Sequence, residues 1–385
     1  MSAINHDLYR NEQYKFGSKA REEAEFADHV ARVRAIQEQL AREHFAGIRK
    51  RVFHAKMHAC LLGTLTLRPD RPSEVRHGIF ADDGFQRYNV LARFSNGVGI
   101  EAHDLKPDVR GLALKIFGVK DSADTPTPPG GRCVDWLMTN STNPFGRDQQ
   151  EFVEFMEATN ADSPLKLAAY CGRHLEVFGL LIKATARVIP SLVTEQYWSG
   201  HPYLLGNDIA MKVNVAPDAT AGSSPGIAED HAEASRLNSL VHRAIHEVDE
   251  IAERLERWFD AHRPEASLLQ PDYLRRDLLH RLGSAPLRYT LSVQLEKDPT
   301  RTPIENTLVE WKEIDSPSIP VADLELVRES IAINNELLRF SPAHFISEHR
   351  PLGNLARGRL FTYTASQDGR AAATTEPDER TLFQS

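Results

Sequence analysis

Between about Gly17 and Arg49, Phe26, Val30, Val33, Ile36 and Leu40 recur at three- and four-residue steps, one stripe of an amphipathic helix on a charged background. From Arg51 to about Lys120 the period changes. "LLGTLTL", "RYNVLARFS" and "VRGLALKIFGV" alternate apolar and polar residues between Gly, Pro and Asp breakers, which predicts strands. "RKRVFHAKMHAC" reads as a further strand and "CVDWLM" as a short one. Helical spacing returns in "QQEFVEFMEA" and in "KLAAYCGRHLEVFGLLIKATARVI". A strand "DIAMKVNVAP" and a small polar loop at Ala216–Pro225 follow. A long helix is expected over about 227–262, with Leu237, Leu240, Val241, Ile245, Val248, Ile251, Leu255 and Trp258 on one side. "RYTLSVQLEK" and "TLVEWKEI" predict strands, and "LELVRESIAINNELL" a helix.

Strands, then helices, then strands again indicate an α+β chain rather than regular βαβ winding. The simplest division is a helical arm at 1–50 and one domain at 51–385, with the 227–262 helix as an insertion. The 385 residues carry 46 basic and 54 acidic side chains, a balance of −8, which argues against a nucleic-acid binder. Three cysteines, none in a CxxC pair, give neither a disulfide framework nor a cysteine zinc site. The polar start lacks the apolar core of a signal peptide, and no run reaches the ~20 apolar residues of a membrane span. A cytoplasmic protein is expected.

Two stretches carry candidate chemistry. His54, in "RVFHAK", suits three roles: metal ligand, acid/base catalyst or buried filler. Arg359 and Tyr363, in "GRLFTY", are four apart and share a face in a helix or a strand. A free tyrosine ionises near pH ~10. A neighbouring arginine and a bound ferric ion both favour the phenolate, so an Arg–Tyr face suits a phenolate metal ligand. An ordinary Arg–Tyr packing pair has the same spacing.

Taken together, the stretches resemble the haem catalase superfamily. "RVFHAK" resembles its distal-histidine motif and "GRLFTY" its proximal tyrosine motif, in the right order. Between them, "LARFSNGVG" is similar to the Arg-Phe-Ser strand and "KPDVRGLALKIFG" to Asp-x-Arg-Gly-x-Ala-x-Lys. "VDWLMTNSTNPFGRDQQEF" is similar to the distal asparagine segment. "YWSGHPYLLG", "LSVQLEKDPTRTPIENTLVEWKEIDSP" and "HRPLGNLARGRLFTY" resemble the catalase-related branch, so the likeness runs from Arg51 to Tyr363.

This resemblance implies a catalase-like antiparallel β-barrel with surrounding helices, lacking the C-terminal helical domain of typical catalases, and haem b with ferric iron as cofactor. Tyr363 would be the iron ligand, and Arg359 would hydrogen-bond its oxygen. His54 would move the peroxide proton, Ser95 would fix its tautomer, and Asn140 would orient the peroxide. Arg51 and Arg93 would pair with the propionates, for which an arginine's planar fork is suited. Phe152 would line the channel. Arg110 and Lys115 would be structural. The implied activity is cleavage of the O–O bond of hydrogen peroxide or an organic hydroperoxide. Alternatives are a fatty-acid hydroperoxide isomerase or lyase of the allene-oxide-synthase kind, and a non-catalytic haem binder. A homo-oligomer is expected.

The chain departs from the family pattern at three places. Met57, His58 and Cys60 replace smaller residues after His54, and on one strand His54 and His58 would point the same way. Thr139-Asn140 stands where the family has two asparagines. "NPFGRD" lacks one expected channel phenylalanine.

Overall fold

The computed structural model describes residues 8–82, 86–121, 132–161, 164–219, 225–246, 267–330, 336–370 and 379–383. Among the described residues there are nine strands: β1 Met57–Leu67, β2 Arg87–Asn96, β3 Arg110–Phe117, β4 Cys133–Thr139, β5 Tyr197–Ser199, β6 Tyr203–Leu205, β7 Ile209–Pro217, β8 Leu287–Leu295 and β9 Ile319–Glu329. Every pairing is antiparallel, in the order β5-β4-β3-β2-β1-β9-β8-β7-β6. A second pairing of β5 with β7 closes eight strands into a barrel and leaves β6 as a ninth strand on β7. Closure removes exposed sheet edges. The period-2 pattern sends Leu61, Phe94, Leu114, Trp136, Val213 and Leu291 into one fully buried core. The alternate face of β2, β3 and β4 is covered too, and there the cavity described below lies.

Around the barrel lie α1 Lys19–His44, α2 Gln149–Thr159, α3 Pro164–Arg173, α4 Leu175–Thr185, α5 Ala228–His246, α6 Tyr273–Ser284, α7 Asn354–Asp368 and α8 Glu379–Phe383. The apolar stripe of α1 packs within its own chain. Phe26 meets Phe361 of α7 at 5.4 Å, and Gln37 donates to the carbonyl of Ser366. Gly358 lets α7 close on α2, because a Cβ there would lie 2.3 Å from Cγ of Gln149. No helix among the described residues is long and apolar enough to cross a membrane.

Several local expectations change. The run "LELVRESIAINNELL" begins as strand rather than helix: its first six residues end β9, where Leu324 and Leu326 fill the barrel and pairing with β1 and β8 overrides helical spacing, and 331–335 lie outside the described residues. "TLVEWKEI" is not a strand. Its backbone partners are loops and side chains, with Thr307 bonded to Arg147 and the Trp311 carbonyl accepting from Gln294. The expected helix after Lys166 breaks into α3 and α4 at His174, whose ring stacks on Tyr170 at 4.4 Å. The helix expected over 227–262 is seen as α5 to His246, and 247–266 lie outside the described residues. His54 is not on a strand at all, since β1 begins at Met57. It sits in the preceding turn with φ 58°, a left-handed backbone that costs a non-glycine residue about 1–2 kcal/mol.

Candidate functional site

Strand register assembles one wall of the site. Ser95 of β2 lies opposite Gly111 of β3, and Gly111 opposite Thr139 of β4. One pleat along, Arg93, Ala113 and Leu137 form a parallel row. All six line a cavity of about 520 Å³. His54 is set over the first row. Its backbone N–H donates to the Gly97 carbonyl at 2.8 Å, and Nδ1 lies 2.9 Å from the Asn96 carbonyl and 3.0 Å from Ser95 Oγ. A carbonyl only accepts, so Nδ1 carries the proton and Nε2 is bare. Burial, with Arg93 adding, pushes the His54 pKa down to about 3, so the imidazole is neutral above that. Gly111 makes this seat possible: a Cβ there would lie 2.6 Å from His54 Nδ1 and 2.7 Å from Ser95 Oγ.

Helix α7 supplies another wall. Arg359, Tyr363, Ser366 and Gln367 line the same cavity, as does Arg370 just beyond the helix. The guanidinium of Arg359 donates to the Tyr363 phenol oxygen at 2.7 Å and lies 4.9 Å from its ring centre. The predicted i,i+4 pair is thus made on a helix. Arg359 Nε is buried without a hydrogen-bond partner. Nearby His201 is fully buried, with its pKa pushed down to about 3 by burial and then by Arg359.

A third feature is a cluster of three arginines, with the Glu336 carboxylate 3.9 Å from Arg51. Arg51, Arg93 and Arg370 line the cavity together. Arg93 donates to the His54 carbonyl at 2.7 Å, Arg51 to the Leu338 carbonyl at 2.5 Å, and Arg370 to the Glu336 carbonyl at 3.2 Å. Burial and the charge of Arg51 push Arg93 and Arg370 down to about 9. Arg370 Nε is a buried donor with no partner. A cluster held this far below its ordinary range favours an anionic guest. Arg370 was missed in the sequence, although it stands seven residues after Tyr363 and continues the Arg359–Tyr363 face.

Phe152 of α2 lines the cavity beside Phe53, ring centres 5.8 Å apart. Asn140 does not join the others. Its Nδ2 donates to Glu195 at 2.8 Å and its Oδ1 accepts from the Arg110 backbone at 2.7 Å, so both ends of the amide are used in the wall. Thr139 and Asn143 face the cavity instead. The assignment of Asn140 as the orienting amide therefore does not fit this geometry: on a strand, successive side chains point to opposite faces. The metal-ligand role open to His54 finds no partners in its neighbours His58 and Cys60, which are bonded elsewhere. His58 bonds Asn96 and Cys60 meets Met57 Sδ. Among the described residues, Cys133, Asp135 and His344 are close enough to hold a metal ion. There the Lys115 ammonium lies 2.8 Å from Asp135, 3.1 Å from His344 and 3.5 Å from Cys133, which suits a structural ion pair. Arg110 is likewise committed, to Asn96 and the Asp104 carbonyl.

The residues fit a haem. The phenol with its arginine offers an iron ligand, the three arginines offer cationic partners for two carboxylates, and an unpartnered buried N–H points to a missing acceptor.

No protein-family profile matches the chain, and neither does any curated protein. Solved structures do. A fungal catalase superposes with a TM-score of 0.61 at 18% identity, covering 98% of this chain and 68% of its own. Catalase A from Saccharomyces cerevisiae gives 0.60 at 16%, covering 96% and 69%. The chain has the fold of these catalases.

Proposed function

We propose that this protein binds haem b and cleaves the O–O bond of a peroxide, hydrogen peroxide or an organic hydroperoxide. The observation that carries the reading is one cavity holding His54, with Nε2 bare, and the Arg359–Tyr363 pair. Tyr363 would hold the iron and Arg359 would stabilise its oxygen as an anion. Arg51, Arg93 and Arg370 would hold the propionates. Bound haem would supply the ferric centre at which a peroxide is polarised and reduced. His54 Nε2 takes the proton from one peroxide oxygen and returns it to the departing one. The leaving group is then water or an alcohol rather than a poor oxyanion. General acid/base transfer of this kind is worth ~10²–10⁴-fold. Burial holds the His54 ring neutral, so Nε2 is unprotonated throughout the physiological range. Ser95 and Gly111 fix where that base stands.

A second reading concerns the substrate. Beyond the His54 wall the cavity is lined by Ile100, Val109, Phe145, Phe155, Leu167 and Leu181. Thr139 lines the cavity and Asn140, the expected orienting amide, does not. This apolar space favours an organic hydroperoxide, including a lipid one, over hydrogen peroxide. In that case oxygen release from hydrogen peroxide is slow and conversion of a fatty-acid hydroperoxide is fast.

The test of the cofactor and its ligand is the absorption spectrum of the protein purified with haem supplied, beside Tyr363→Phe. A high-spin ferric spectrum that is lost or shifted in the variant is expected. No Soret band in either protein after reconstitution overturns the reading. Haem uptake without turnover of any peroxide leaves a haem-binding role alone.

A further inference from the structure

His58 is an odd residue to bury on a barrel strand, and the strand register shows how it is accommodated. In the β1–β2 ladder Met57 pairs with Ser95 and Ala59 with Phe94, so His58 is the extra residue of a β-bulge. Bulges re-aim a side chain. Here the imidazole is aimed at Asn96, and its Nε2 lies 2.8 Å from Asn96 Oδ1. His58 is fully buried.

Asn96 is the residue whose main-chain carbonyl holds His54 Nδ1. Its side chain is pinned from three directions. Oδ1 accepts from His58 Nε2 and from Arg110 at 2.8 Å, and Nδ2 donates to Asp104 Oδ1 at 3.0 Å. The carboxylate partner fixes which end of the amide is NH₂, and so His58 must carry its proton on Nε2. Asp104 is itself held by the Lys56 ammonium at 2.5 Å and by the Leu274 backbone N–H. On the other side of His58, Nδ1 has no hydrogen-bond partner and stands 3.9 Å from Asp104 Oδ2. The guanidinium of Arg275 bonds the His58 carbonyl. Burial keeps the ring neutral, with its pKa pushed down to about 4.

We infer that His58 is a positioning residue for His54, acting through Asn96. The chain of contacts is His58 Nε2–H to Asn96 Oδ1, and Asn96 carbonyl to His54 Nδ1–H. Only this second contact discriminates between the tautomers of His54, because the Ser95 hydroxyl can donate or accept equally well. His54 also holds a left-handed backbone, which persists only where surrounding contacts over-determine it. Without the His58 donor, one buried lone pair of Asn96 Oδ1 is left unpaired and the amide is held by Arg110 and Asp104 alone, which draws Asn96 toward them and its carbonyl off His54. The imidazole can then take the Nε2–H tautomer by accepting from Ser95, and in that form it has no base facing the cavity.

The catalytic consequence rests on the peroxide reading above, but the tautomer does not, and the experiment separates the two. Haem-free protein labelled with ¹⁵N-histidine is compared by NMR as wild type, His58→Leu, His58→Gln and His58→Asn, with the His54 signals assigned by His54→Gln. Glutamine carries an N–H where Nε2 lies. Asparagine keeps a polar group but falls short of Asn96, and serves if leucine does not fold. A single Nδ1–H tautomer of His54 is expected in wild type and His58→Gln, and a mixture in His58→Leu and His58→Asn. With haem and peroxide, the latter two are expected to lose about tenfold in kcat with KM within twofold, and His58→Gln to recover it. An unchanged single Nδ1–H tautomer in both donor-less variants overturns the inference. So does an equal loss of kcat in all three. If wild type turns over no peroxide, the function falls, while the tautomer comparison still decides the role of His58.

Discussion

The two walls of the cavity are built on different principles. The α7 wall is local: Arg359, Tyr363 and Gln367 follow helical steps, Arg370 continues their face, and the 2.7 Å contact between guanidinium and phenol follows from the helix itself. The His54 wall is assembled from distant segments: a strained turn, then Ser95, Gly111 and Thr139 brought into one row by three strands. Its central contact, Nδ1 to a carbonyl 42 residues away, exists only because β2 runs beside the turn. A helical wall can be damaged one residue at a time, whereas a wall made by register is sensitive to anything that shifts a strand.

Removing the reactive group of the register-built wall is the largest expected effect. His54→Ala should lower peroxide turnover ~10²–10⁴-fold, with haem content unchanged. Retention of turnover would mean that the wall has no proton-transfer role. Gly111→Ala comes next. Its Cβ would collide with His54 Nδ1 and Ser95 Oγ, and the imidazole cannot yield without leaving the Asn96 carbonyl. A loss of about 10²-fold in kcat is expected, from misplacement of the base. Gly358→Ala, at the α2–α7 contact, should instead lower the unfolding midpoint and weaken haem uptake. If both glycine variants fail in the same way, the contrast between the walls is wrong.

Arg370→Gln probes the helical side at smaller scale. Losing one charge-assisted contact of roughly 1.5–3 kcal/mol should weaken haem binding about 10- to 100-fold, with kcat per bound haem nearly unchanged. Haem titration of the apo-protein measures this, and equal affinity would remove Arg370 from the site.

Per pH unit, the smallest effect per residue is the response to acid. His54, His58, His201 and His349 have pKa values lowered by burial to about 3, 4, 3 and 4. The unfolded chain protonates them near pH 6.5, so below that it binds more protons than the folded chain. Their contribution to stability is complete above about pH 6.5 and falls with pH until the folded values are reached. The loss is roughly 1.4 kcal/mol per histidine per pH unit in that window. Urea midpoints measured from pH 7 to pH 5 should fall steadily, and replacing His201 and His349 by uncharged residues that still fold should flatten the slope. A midpoint unmoved over that range would contradict the depth of burial assigned to these rings.

How far the sequence could be read follows the same division. Period-2 runs and their breakers placed β2, β3, β4, β7 and β8 because alternation is a local signal that burial of one face imposes on each strand. Arg359–Tyr363 was visible because four-residue spacing is itself a contact on a helix. Arg51, Arg93, His54, Ser95 and Phe152 were picked out by resemblance of short motifs, and the fold brings all of them to one cavity. Asn140 was picked on the same grounds and points elsewhere. One residue along a strand reverses the face, and nothing in "TNST" says which of Thr139 and Asn140 looks inward. The helix expected over "LELVRESIAINNELL" gives way to strand at 324–329 because β9 lies between two strands distant in sequence, whose hydrogen bonds outweigh spacing.

By itself, then, the amino-acid sequence determined the types of most elements and the chemistry available to the protein: a histidine, a phenol beside a guanidinium, and further arginines. The tertiary structure alone decided which of these share a cavity, which nitrogen of His54 is bare, that Arg370 lines the same cavity and that His58 bonds Asn96. Those outcomes depend on barrel closure, on register and on a bulge between Met57 and Ala59, all of them pairings between segments whose sequences carry no mark of each other.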